Sequence, residues 1–410
     1  MKNVSRNTQR GAVSLFVVIF GMLIITVITV SFLRIVAIDE RQSSDTDLSQ
    51  SAYDSAQAGV EDAKRALLRY QQVCSTSPAS CAGLSSAIST TECNAGLRVG
   101  NVVRPGDESG GTTGTGEILV QQSSSGTDTT LQQAYTCVLV QLETDNYVWP
   151  IKTGESQLVP LVGRDAFNTV TIRWFDKDNL TNTTGAVNLP GVTATHPFVP
   201  QTSWVADRPS VMRAQLIQFG SSFRMTDFDY VNASGQSNAN TVFLYPTSGV
   251  GATSAAFTAL DTRATSATDE PDPDNPSQTA HAVRCQSNIS AGGYACSMSL
   301  TLPTPIGGGD RTAFLRLTPY YTGANIEVVL SNGVPTASGN NIVKFKDVQP
   351  LIDSTGRAND VFRRVQSRVD LYNTDFPYPD ATIDITNNFC KNFAVSDNPS
   401  TYTSTNTCTP

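Results

Sequence analysis

The sequence predicts an α+β protein: a long N-terminal helix, first transmembrane and then amphipathic, packed on a large antiparallel β-rich globular domain. Three observations predict it. Residues Ala12 to Leu33 run 22 positions without a charge. From Leu48 to Tyr70, apolar residues recur every three or four positions. From Ala134 onward, short runs rich in Val, Ile, Tyr, Phe and Trp alternate with turn residues, and no amphipathic helix of ordinary length intervenes.

The first element is the apolar run. At 1.5 Å per residue it spans about 33 Å, enough to cross a hydrocarbon core of roughly 30 Å. Lys2, Arg6 and Arg10 precede it, with no acid among the first eleven residues. A positive flank stays in the cytoplasm, which sends the remainder of the chain outward. A secretory signal would have a shorter core followed by a small-residue cleavage site, and Arg34 to Glu40 offer none. The small residue lies before the apolar run instead, at Arg10-Gly11-Ala12. This layout is similar to a class III (prepilin) signal, cut after Gly11 so that the apolar helix, with Ala12, Phe16, Gly21 and Leu33 along it, stays on the mature chain. An uncleaved N-terminal anchor is the plainer alternative.

The second element continues the first. Leu48, Ala52, Ala56, Val60, Ala63, Leu67 and Tyr70 form a narrow apolar stripe, and Glu61 and Arg65 form an i,i+4 pair on the wet side. One helix from Ala12 to about Gln72 would be on the order of 90 Å long. A hydrophobic half joined to an amphipathic half resembles the type IV pilins, and Ala52-Tyr53-Asp54-Ser55-Ala56-Gln57-Ala58-Gly59-Val60-Glu61 resembles the corresponding segment of PilX/GspK-type minor pilins. A membrane-anchored coiled coil is disfavoured by the stripe's small residues and its length of about five turns.

The resemblance implies a non-catalytic minor pilin, a structural subunit of a type IV pilus working at the tip, in assembly priming or in adhesion. Counted from Ala12, the fifth residue is Phe16, where major pilins carry a Glu that neutralises a neighbour's terminal amine. Phe16 supplies neither charge nor register, which implies a tip or initiating position. The implied partners are other pilin subunits through the N-terminal helix, a prepilin peptidase that cleaves and methylates, the assembly machinery with its ATPase, and the membrane. The implied location is the cytoplasmic membrane, N-terminus inside, and then an extracellular filament. A pseudopilin of a type II secretion system shares every one of these features, and an uncleaved membrane-anchored surface adhesin is a further alternative.

Composition agrees with an exported structural protein. Of 410 residues only 16% are charged, the net charge is −8, and Ser, Thr, Gly and Asn abound. No basic stripe supports nucleic-acid binding. Cys74, Cys81, Cys93, Cys137, Cys285, Cys296, Cys390 and Cys408 are even in number and suit an oxidising compartment. Sequence neighbours suggest Cys74 or Cys93 with Cys81, Cys285 with Cys296, and Cys390 with Cys408. No C-x-x-C spacing and only two His make zinc improbable.

The boundaries read as a leader over 1–11, the long helix over 12–73 with its membrane part at 12–38, and a Cys/Ser/Gly-rich αβ-loop region over 74–133. In that region, 97–103 and 117–121 are candidate strands, and Gly106-Asp107-Glu108-Ser109-Gly110-Gly111 is a flexible loop rather than a protease signature. A β-rich domain follows over 134–376, with strands expected at 135–142, 157–162, 169–175, 213–219, 241–245, 294–302, 314–318, 326–330 and 342–348. Trp174 belongs to its core. Loop insertions occupy 176–209 and 247–284. The second holds Asp269, Glu270, Asp272 and Asp274, oxygen ligands suited to calcium. Pro271 and Pro273 and the missing EF-hand pattern favour a solvated acidic loop, so calcium is the one weak cofactor candidate.

Residues 353–371 resemble the C-terminal strand of large PilX-like pilins, read as a Gly356-Arg357 turn leading into a Val/Arg strand whose arginines protect a sheet edge. The stretch 377–410 reads as an irregular disulfide-stapled tail. Nothing points to an enzyme: His196 and His281 lack a nucleophile nearby, and no Walker or dinucleotide-binding glycine set occurs.

Overall fold

A computed structural model describes residues 12–103, 108–109, 116–120, 133–191, 201–218, 240–248, 254–256, 281–311 and 313–371. The helices come first: α1 (Ala12–Thr76), α2 (Pro78–Ile88) and α3 (Ala95–Val99). The strands follow as β1 (Glu108–Ser109), β2 (Glu117–Leu119), β3 (Ala134–Thr144), β4 (Tyr147–Ile151), β5 (Gln157–Pro160) and β6 (Phe167–Asp176). After a 3₁₀ turn at Lys177–Asn179 come β7 (Val211–Gln218), β8 (Asn240–Ser248), β9 (Ser254–Ala256), β10 (His281–Cys285) and β11 (Tyr294–Ile306). The last are β12 (Ala313–Tyr320), β13 (Ala324–Ser331), β14 (Ile342–Val343), β15 (Phe345–Ala358) and β16 (Val361–Arg368).

The chain divides into two compact units: Met1–Val140 with Ile352–Ser367, and Gln141–Leu351 with Arg368–Pro410. The first unit thus runs past residue 134, the expected start of the β-rich domain. The start of β3, the end of β15 and most of β16 belong with the helix, because the apolar stripe of α1 needs a sheet face to cover it.

In the first unit the sheet order is β1-β2-β3-β15-β16, which leaves β16 at an edge. Ala52, Ala56, Val60, Ala63, Leu67 and Tyr70 of α1 are all buried, as the spacing predicts. Small residues let backbone meet backbone. A Cβ on Gly59 would stand 2.5 Å from Ser354 Oγ and 2.8 Å from Val138 Cγ2, and one on Gly356 would collide with Ala52 O and Ala56 N. Polar bonds fix the register: Tyr135 Oη donates to Asp62 Oδ2 at 2.8 Å, and Arg65 holds the other carboxylate oxygen at 3.0 Å rather than the expected Glu61, which pairs with Lys64. Asn94, in a left-handed conformation, donates its N–H to Val138 O and accepts Val138 N–H on Oδ1, so one residue stands in for a strand beside β3.

The second unit holds an eleven-stranded sheet in the order β14-β13-β6-β11-β10-β8-β7-β12-β5, with β4 on β13 and β9 on β11. Central strands have one strongly apolar face: β6 buries Val170, Ile172 and Trp174 and β13 buries Ile326, Val328 and Leu330, while Thr169, Thr171 and Arg173 of β6 and Asn325 and Glu327 of β13 alternate with them. Most pairs are antiparallel, but β8–β10 and β9–β11 are parallel. Gln349 extends the sheet by a side chain, its amide accepting from Val148 N–H and donating to Val148 O.

Each of the nine expected strand runs overlaps a strand: 157–162 outruns β5 by Leu161 and Val162, 342–348 is split between β14 and the start of β15, and Phe219 of 213–219 lies outside the described residues. Three expectations are corrected. Residues 97–99 lie in α3 and not in a strand, since Asn94 turns the chain into a single helical turn. The region after residue 74 also contains α2, which Pro78 opens at its first turn. The turn before the Val/Arg strand is Asn359-Asp360, not Gly356-Arg357: β15 runs through to Ala358, and Asn359 supplies the left-handed residue.

Candidate functional site

The surface that stands out is the first half of α1. From Phe16 to Ile38 the helix is exposed nearly all round, with Phe16 at 74% and Leu33 at 60%. A soluble helix hides such residues. This one is long and apolar enough to cross a membrane, and none of its apolar window is buried by the protein itself. Thr26, Thr29 and Ser31 return their hydroxyls to carbonyls one turn back, at 2.7–2.9 Å, so their polarity is spent inside the helix. At Gly21 nothing lies within 4 Å of an added Cβ, which leaves a shallow notch on the apolar face.

The helix then changes partner without a break. Near Leu48 and Ser49 exposure falls, and from Ala52 the stripe is covered by sheet. Gly11 lies outside the described residues, and Ala12 is placed only as the first residue of α1. Neither the leader nor the Gly11–Ala12 bond is therefore given a geometry.

Of the eight cysteines, six are paired: Cys74–Cys81, Cys93–Cys137 and Cys285–Cys296. The first resolves the alternative for Cys81. The second was not legible in the sequence, because 44 residues separate its partners and only the placement of Asn94 against β3 brings them together. In the third, the two cysteines face each other in register across β10 and β11. Cys390 and Cys408 lie outside the described residues, as do Asp269, Glu270, Asp272 and Asp274, His196, and residues 106–107 and 110–111 of the Gly-rich loop. Among the described residues no cluster of His, Cys, Asp and Glu could hold a metal.

The titratable groups of the second unit serve the sheet. Arg173 on β6 pairs with Glu327 on β13 at 2.7 Å, and Asn146 also donates to Glu327. Arg368 donates to Asn146 O and Oδ1, and burial lowers its pKa. Burial, with the Glu327 carboxylate nearby, pushes the Tyr294 hydroxyl up to about 12. Burial likewise raises Tyr147, which donates to Asp370 and accepts from Gln157. Trp174 is fully buried, its Nε1 donating to Ser210 O at 3.0 Å, which agrees with the expected core role.

In the first unit, the arginines expected to guard a sheet edge lie on β16 or beside it. Arg364 forks onto Asp353 and holds that carboxyl below its usual range; Arg363 Nε reaches Ser49 Oγ at 2.8 Å; Arg357 pairs with Glu117. Compared with family models, with curated proteins and with solved structures, the chain finds no match.

Proposed function

We propose that this chain is a minor pilin: a non-catalytic structural subunit of a type IV pilus, acting at the tip, in assembly priming or in adhesion. The observation that carries the proposal is the single 65-residue helix whose apolar first half is exposed and whose second half is seated on a sheet. A helix of that kind has two solvents to choose between for its exposed half: lipid before assembly, and the helices of neighbouring subunits after it. Lipid is about as apolar as a helix bundle, so the exchange is near neutral for the side chains, and packing plus machine work decide it. The cationic leader, with Gly11 before the apolar run, supports cleavage by a prepilin peptidase and an outward-facing globular part. Phe16, in place of a carboxylate, supports a position other than the repeating shaft, since it offers no charge to a neighbour's amine inside the apolar core.

The test is intact mass and N-terminal sequencing of the full chain co-expressed with a prepilin peptidase. The expected product starts at Ala12. A product still starting at Met1 would overturn the pilin reading and leave a membrane-anchored surface protein.

A further inference from the structure

Two exposed surfaces of the first unit carry opposite charge. One is the open edge of β16. Among the described strands β16 has β15 on one side and none on the other. Val369 N–H and Leu371 N–H bond to Pro350 O and Val348 O of the β15 segment, so odd-numbered residues turn their amides inward. By the alternation of an antiparallel pair, those of Phe362, Arg364 and Gln366 face the open edge. Within the first unit the strand carries Arg363 and Arg364, both exposed, and no acid; Arg364 also holds Asp353 of β15, and Phe362 beside them is 55% exposed.

The other surface is the back of α1. Glu40, Asp47, Asp54 and Glu61 recur at seven-residue intervals, and all four are exposed; Glu61 pairs with Lys64 at 2.6 Å, so the docking charge is that of Glu40, Asp47 and Asp54. Seven residues return a helix to within about 20° of the same direction, so they form one stripe about 31 Å long. At 100° per residue the stripe lies on the side of α1 opposite Ser49, Ala56 and Leu67. It therefore points away from the molecule's own sheet and away from Arg363, which touches Ser49. From Asp39 to Glu61 the helix carries six carboxylates against one arginine.

The two surfaces cannot meet within one molecule, but they match between two. We infer that the β16 edge of one copy docks against the acidic back of α1 in a second, parallel copy. Charge selects this pairing: edge against edge would set arginine against arginine, and helix back against helix back would set carboxylate against carboxylate. Height agrees. Arg363 sits at the level of Ser49, between Asp47 and Asp54, so two copies held at the same depth by their apolar halves bring the groups level without sliding. The contact is head-to-tail, and it leaves a free edge and a free stripe at the two ends of each pair, so that further copies can add. This goes beyond the pilus reading and needs only that α1 anchors in a bilayer.

The test is energy transfer between donor- and acceptor-labelled full-length chains in vesicles of neutral lipid, with flotation confirming incorporation and circular dichroism confirming fold. Arg363→Glu removes one bond, to Ser49, and Asp47→Lys/Asp54→Lys lies on exposed helix. The expected result is transfer above the random-mixing level that falls at least fivefold in association constant when both labelled populations carry either variant, falls as NaCl is raised from about 0.05 to 0.5 M, and returns when Arg363→Glu copies are mixed with Asp47→Lys/Asp54→Lys copies. Transfer at the random level, insensitivity to either variant, or failure of the mixed pair to recover would overturn the proposal. Clustering seen only with anionic lipid would overturn it too, by assigning the arginine edge to headgroups. N-terminal processing is not scored, so the outcome is independent of the pilus reading.

Discussion

The two halves of α1 share one backbone ladder and solve opposite problems. Between Phe16 and Ile38 nearly every side chain is large, apolar and exposed; between Ala52 and Tyr70 the buried stripe is built largely from alanine, with Gly59 at its closest contact. The first half meets a fluid, apolar surround that accepts any packing, so bulk and hydrophobicity suffice. The second meets a fixed sheet, where close approach decides the fit and a single methyl group is felt. Apolar content is similar in purpose but not in specification.

The comparison can be broken by matched substitutions. Leu67→Ala, at a fully buried position, should destabilise the first unit by about 2–5 kcal/mol in a urea titration of the detergent-solubilised chain, whereas Leu23→Ala on the exposed half should leave that titration unchanged. Equal effects would show that the halves are not distinct. Gly356→Leu should cost about 3 kcal/mol, because the new side chain must displace the α1 backbone at Ala52 and Ala56; the check is faster proteolysis of the sheet of the first unit. Val27→Arg should reverse that pattern. It should cost about 2.5–3.5 kcal/mol in membrane insertion, seen as release by alkaline extraction, while protease resistance of the globular part stays at wild-type level. The smallest effect concerns Asp353. Arg364 lowers its folded pKa, so its contribution is fully present above the unfolded value of about 3.9 and is lost as pH falls through the folded value. Asp353→Asn should therefore lower the urea midpoint at pH 6 and leave it nearly unchanged near pH 2.

What the sequence discloses follows the same divide. The apolar run, the stripe and the β-branched runs are periodic signals, and each reappears as α1 or as a strand. Trp174 was readable as core from its neighbours alone. Gly59 and Gly356 were not readable, because a glycine demanded by close approach looks like any other until its partner is in place. By sequence Gly356 reads as a turn residue, yet it is a strand residue whose missing side chain admits α1. The Cys93–Cys137 pair and the helical Leu97 share that cause: both depend on Asn94 meeting Val138, a contact 44 residues long in sequence that no local pattern encodes. The acidic back of α1 was visible as residues but not as a surface, since the direction it faces depends on where the sheet lies.

If tension ever reaches this chain, the Cys93–Cys137 bond limits how far it can lengthen. The 44-residue interval it closes would, if drawn out at about 3.4 Å per residue, add roughly 150 Å of contour length. With the covalent bridge in place that slack is not available to a pulling force. The load passes from the loop to the sulfur bridge and into β3, so the first unit would yield as a short, stiff element while the disulfide is intact and as a long, compliant one once it is reduced.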